Sequence, residues 1–88
     1  MTQDAGESTP QLDYPRQWEY RVIGTADEHI RAAIAAAMGP LEHVVRPGNT
    51  SRAGRYVSLS VVVTVRDEQH RNALFVALRE HPEVRFVL

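Results

Sequence analysis

From Tyr56 to Arg66 the chain alternates without a break. Val57, Leu59, Val61, Val63 and Val65 take one face; Tyr56, Ser58, Ser60, Val62, Thr64 and Arg66 take the other. A period of two, rich in β-branched residues, predicts a long antiparallel strand with its valine face in a core and its serine face toward water. Such a strand cannot stand alone. Its backbone N–H and C=O groups need partners on both edges, and its apolar face needs a cover. In a chain of 88 residues those partners must come from one small domain.

The flanking sequence supplies them. Trp18, Tyr20 and Val22 alternate with Glu19, Arg21 and Ile23, which predicts a first strand ended by Gly24. Thr25 and Glu28 have capping-box spacing, with Asp27 as an alternative N-cap. Ile30, Ala33, Ile34, Ala37, Met38 and Leu41 then recur at helical steps until Gly39-Pro40 stops the helix. His43 to Arg46 reads as a short second strand closed by Pro47-Gly48, and Gly48 to Gly54 as a flexible loop. After the long strand, Asp67 can cap a second helix with the stripe His70, Ala73, Leu74, Ala77, Leu78 and His81, ended by Pro82. Glu83 to Leu88 is the last strand.

The order β-α-β-β-α-β predicts an α+β, ferredoxin-like domain. Right-handed crossovers place its strands in the order 4-1-3-2, all antiparallel, with both helices on one face. Residues 16–88 form this domain. Residues 1–15 are polar and acidic, hold little apolar surface, and are expected to be a disordered tail.

Composition removes several chemistries. There is no cysteine, hence no disulfide, no thiolate nucleophile and no zinc–thiolate site. All ten basic residues are arginine, which excludes lysine Schiff bases and P-loop chemistry. Neither a signal-peptide pattern nor an apolar run of membrane-spanning length is visible, so a cytoplasmic location is expected. A net charge of −1 argues against a nucleic-acid binder.

Three blocks carry a family resemblance. They are Trp18-Glu19-Tyr20-Arg21-Val22-Ile23-Gly24, Gly54-Arg55-Tyr56-Val57-Ser58-Leu59-Ser60-Val61, and Val84-Arg85-Phe86-Val87-Leu88. Together they resemble the YbeD-like family of small bacterial proteins, whose Ser-x-x-Gly-x-Tyr-x-Ser run stands here as Ser51, Gly54, Tyr56 and Ser58. The resemblance implies a fold like the ACT-type regulatory domains that bind amino acids. It also implies a link to lipoate metabolism, because genes of the family often lie near lipoate-attachment genes. The Asp-x-Pro-Gly of the ACT ligand loop is missing from Gly24-Thr25-Ala26-Asp27-Glu28.

Candidate sites follow from residue chemistry. Arg46, Arg52 and Arg55 around the glycine-rich hairpin, with Ser51, Gly54, Tyr56 and Ser58, could hold a phosphate or carboxylate on backbone N–H groups and guanidinium forks. The competing reading is a hairpin with solvated arginines. His29, His43, His70 and His81 lack metal-ligand spacing, and Ser58 and Ser60 lack a base, so no catalytic or metal site and no cofactor is expected. An RNA-recognition domain of the same topology would need exposed aromatics on strands one and three. Here Trp18 and Tyr20 share the core phase of Val22, which leaves Tyr56 alone on the open face. That face is expected to show Ile23, Val62 and Val87 among polar residues. The edge strand around Val84, Phe86 and Val87 is guarded only by Arg85, which predicts a homodimer through the sheet. The function read from the sequence is a small regulatory or interaction module binding a protein or a metabolite, with RNA binding as the alternative and catalysis as the reading with least support.

Overall fold

The computed structural model describes residues 12–50 and 54–88, the side chains at 49 and 50 excepted. The elements are β1 (Arg16–Gly24), α1 (Asp27–Met38), β2 (His43–Thr50), β3 (Val57–Val65), α2 (Glu68–Arg79) and β4 (Val84–Val87). They form a four-stranded sheet in the order β2-β3-β1-β4, with every pair antiparallel. This is the predicted ferredoxin-like arrangement.

The core follows from the alternation of β3. Leu59, Val61, Val63 and Val65 are buried, as are Tyr20 and Val22 of β1. Ile30, Ala33, Ile34 and Met38 of α1 close over them with Leu74 and Leu78 of α2, so one apolar cluster joins the sheet to both helices. The other face of the sheet carries neither helix. Gly24, at the end of β1, has no room for a side chain. A Cβ there would lie 2.7 Å from the Glu83 carbonyl oxygen and 2.9 Å from Ile30 Cγ1, so this close approach demands glycine.

Several local expectations change. Helix α1 starts from Ala26 with no side-chain cap, and Asp27 instead bonds Arg31 at 2.7 Å, one turn on. Asp67 does cap α2: its Oδ1 accepts from the His70 N–H at 2.7 Å. Asp67→Ala should therefore cost about 1 kcal/mol, read as a lowered urea midpoint with an unchanged slope. The buried face of α2 is Leu74 and Leu78, flanked by half-buried Arg71 and Phe75, while Ala73 and Ala77 are exposed. The helix is rotated so that the larger ring, rather than the alanines, covers apolar surface.

Strand β2 runs on past Arg46 through Pro47 and Gly48 to Thr50. An edge strand tolerates proline, and the register shifts between Pro47 and Thr50. Strand β4 also slips: Val22 pairs with Val87 and Ile23 with Phe86, but Gly24 pairs with Val84. The bulge reverses the expected phase at Phe86 and Val87, while Val84 keeps it. Val84 is buried and Val87 packs against the core, while Phe86 emerges on the open face, 55% exposed. The packed domain also begins before Arg16, because Tyr14 lies half-buried against the core. Of the segment expected to be a tail, residues 1–11 lie outside the described residues.

Candidate functional site

The open face is organised in rungs set by strand register. Ser60 of β3 has Arg21 of β1 on one side and Arg46 of β2 on the other. On the next rung toward the hairpin, Ser58 faces Ile23, which in turn faces Phe86. Tyr56 precedes β3 on the same side and meets the Phe86 ring edge-on, with centroids 6.1 Å apart and planes at 65°. In the other direction, Val62 lies between Glu19 and Val44. The face is thus apolar at one end and doubly cationic at its centre.

Both serines are less exposed than the alternation suggested. Ser60 is 7% exposed, which we attribute to the long side chains of Arg21 and Arg46 on its rung. Ser58 is half-buried, and its Oγ is enclosed without a hydrogen-bond partner among the described residues. The reason is Gly48, whose backbone passes so close that a Cβ would lie 2.8 Å from that oxygen. A glycine lets the bulged edge strand lie directly over the serine.

The predicted anion residues are divided by this geometry. Ser51 and Arg52 lie outside the described residues. Gly54 holds a left-handed φ of 71°, with Arg55 and Tyr56 following it into β3. Arg46 stands four residues before Thr50 along β2, about 13 Å at about 3.3 Å per residue, and so belongs to the Ser60 rung. Arg21 is the residue that sequence reasoning passed over. Its place opposite Ser60 becomes legible only once register is known. Neither Arg21 nor Arg46 has a carboxylate within ion-pair distance among the described residues. Of the residues expected at an interface, Phe86 is well exposed, Ile23 and Val62 are half-buried on the open face, and Val84 and Val87 face the core.

The helix side of β1 holds a second feature. Trp18 is half-buried, with the Arg71 guanidinium 4.6 Å and the Arg16 guanidinium 5.6 Å from its ring centroid. The Tyr20 hydroxyl donates to the Arg71 carbonyl oxygen at 2.6 Å, and burial pushes its pKa up to about 12 despite the opposing pull of the Arg71 cation. Trp18, Tyr20, Arg71, Asn72, Phe75 and Leu88 line a hollow of about 350 Å³. With both aromatics of β1 on this side, β1 gives the open face no aromatic, and RNA recognition by this topology needs one there.

The histidines have structural partners. The His43 Nδ1–H donates to the Leu41 carbonyl, whereas Nδ1 of His70 and of His81 accepts from the N–H of Arg66 and of Glu83. His29 Nδ1 lies 3.1 Å from Glu83 Oε1. Among the described residues, no three His, Asp or Glu side chains converge to hold a metal. Nor is any helix there long and apolar enough to cross a membrane.

Residues 9–88 match the family model "Protein of unknown function (DUF493)". The chain belongs to this family. A UPF0250 protein of Hahella chejuensis is 29% identical over 97% of this chain and 98% of its own length. A second, from Idiomarina loihiensis, is 32% identical over 88% and 90%. These matches bear out the YbeD-like resemblance. The solution structure of protein HP0495 from H. pylori superposes with a TM-score of 0.80 at 24% identity, covering 98% of this chain and 94% of that one. The ACT domain of a GTP pyrophosphokinase from Chlorobium tepidum gives a TM-score of 0.59 at 14% identity, covering 82% and 94%. DUF493 thus shares the fold of ACT-type domains, and at these identities the structural likeness extends to the fold alone.

Proposed function

We propose that this DUF493 protein is a small regulatory module that works by binding rather than by catalysis, and that its open sheet face takes an amphipathic carboxylate. The observation that carries this reading is the rung Arg21–Ser60–Arg46, two arginines flanking one serine with no carboxylate partner of their own among the described residues. Arginine forks suit a carboxylate head. The apolar tail would run along the sheet over Ile23, Phe86 and Tyr56, whose aromatic pair lies one rung away. A medium-chain acid such as octanoate or lipoate fits that division of the face. The lipoate link implied by the family resemblance points to the same chemical class.

Titration of octanoate and lipoate against the ¹⁵N-labelled protein tests the reading. The amides of Arg21, Arg46 and Ser60 should shift together, and octanol, which lacks the charge, should shift them far less. Replacing both arginines, Arg21→Gln with Arg46→Gln, should weaken octanoate binding at least about tenfold, the loss of a charge-assisted contact. Equal responses to octanoate and octanol, or none at millimolar acid, would remove the proposal.

A further inference from the structure

Strand β1 is nine residues long, but β4 covers only part of it. Pairing with β4 occupies Val22 to Gly24, and the Leu88 backbone adds a reciprocal pair with Arg21, at 2.9 and 3.0 Å. On that side nothing among the described residues pairs with Arg16 to Tyr20, although their other side is bonded to β3 along its whole length. Antiparallel geometry makes the N–H and C=O of alternate residues point the same way. Since those of Arg21 meet Leu88, those of Glu19 and Gln17 point outward into the vacant lane. Four main-chain hydrogen-bonding groups thus stand open on a strand that is otherwise paired on both sides. No proline, bulge or lysine blocks them within the stretch.

The hollow lined by Trp18, Tyr20, Arg71, Asn72, Phe75 and Leu88 lies on the helix side of this same stretch. A segment laid along the lane would put the side chain opposite Trp18 on that side, because residues at a non-hydrogen-bonded pair share the face of their partner. The hollow is aromatic and its lining cation is Arg71; Arg16, outside the lining, also lies beside Trp18. Among the described residues Arg71 has one carboxylate within ion-pair distance, that of Glu68 at 3.8 Å, which is mostly exposed and can be displaced at little cost.

We propose that this length of β1, with the hollow beside it, accepts an extended acidic peptide from another protein as an added strand. The inward central residue of that peptide is aromatic and occupies the hollow. The acidic residues two positions away on the same face meet Arg16 and Arg71. Main-chain bonds to Gln17 and Glu19 provide affinity, and the hollow provides specificity. A second copy of this chain is a poor occupant. Two-fold pairing about Trp18 would bring Arg16 and Arg71 of both copies to one seam and crowd four guanidiniums together. This site is separate from the open-face rung and stands or falls independently of it.

The test uses the capped peptide Asp-Thr-Phe-Thr-Asp with the full chain. Trp18 is the only tryptophan, so its fluorescence reports occupancy directly. Its emission should shift saturably, and the Gln17 and Glu19 amides should lose solvent exchange. Peptides with Lys at both ends, or Ala at the centre, should bind about tenfold more weakly. Gln17→Pro removes an outward donor while sparing the bonds to β3, and Asn72→Phe fills the hollow. Each should reduce binding by a similar factor with the melting temperature little changed. Equal binding of the Lys peptide, or indifference to both substitutions, would overturn the proposal. So would a concentration-dependent dimer in sedimentation that Gln17→Pro abolishes, since the lane would then belong to a second copy.

Discussion

Leu59→Ala should destabilise the domain by about 2–5 kcal/mol, the range for a buried leucine that leaves a cavity. Leu59 is 1% exposed, third of the nine residues of β3, opposite Val22 of β1 and Pro47 of β2. Valines and isoleucines around it are held by sheet register and two helices, so the site can collapse only in part. Ser60→Ala, one residue along, removes a hydroxyl on the polar face and should cost less than about 1 kcal/mol. The two residues are almost equally inaccessible, since Ser60 is 7% exposed. The contrast therefore separates burial in an apolar core from burial on the open face between two arginines. Urea melts decide it, provided the slopes agree. A larger loss for Ser60→Ala would place the wrong face of β3 in the core.

Sequence periodicity was enough for the architecture because each long element has one dominant pattern. The valine alternation of β3 and the Ile30–Ala33–Ile34–Met38 stripe of α1 each have a single way to be buried. What was not legible depends on irregularity or on pairing. The bulge opposite Gly24 moved Phe86 to the open face and Val87 to the core, and nothing in five alternating residues announces a register slip. The extension of β2 through Pro47 needed knowledge that β2 is an edge. The phase of α2 failed because two alanines and a phenylalanine compete for one flank, and ring area prevailed. The candidate site shows the same limit. Arg46 could be singled out from its neighbours in sequence. Its partnership with Arg21 across Ser60 joins residues from three strands, which only register reveals.

The alkaline limb of the stability profile should be set largely by Tyr20. Its pKa is raised from 10.0 to about 12, chiefly because burial disfavours the phenolate; the Arg71 cation opposes this and Tyr14 adds to it. In the unfolded chain the phenol ionises near 10 and in the folded one near 12. Between those values the unfolded state has lost the proton and the native state keeps it. Stability from this group is therefore fully present below about pH 10 and falls as pH rises toward 12. Two pH units in a dry interior correspond to about 2.7 kcal/mol. The hydroxyl lies beside a hollow open to water, so screening reduces the expected loss to about 1–2 kcal/mol. The measurement is unusually clean here, because a chain without lysine has only its three tyrosines titrating in that interval among common side chains. Tyr20→Phe forfeits the 2.6 Å bond to the Arg71 carbonyl and should be about 1 kcal/mol less stable at pH 7. Between pH 10 and 12 it should lose less than the parent, so that the two curves converge. Parallel curves across that interval would mean that the Tyr20 phenol ionises as readily in the folded domain as in the unfolded chain.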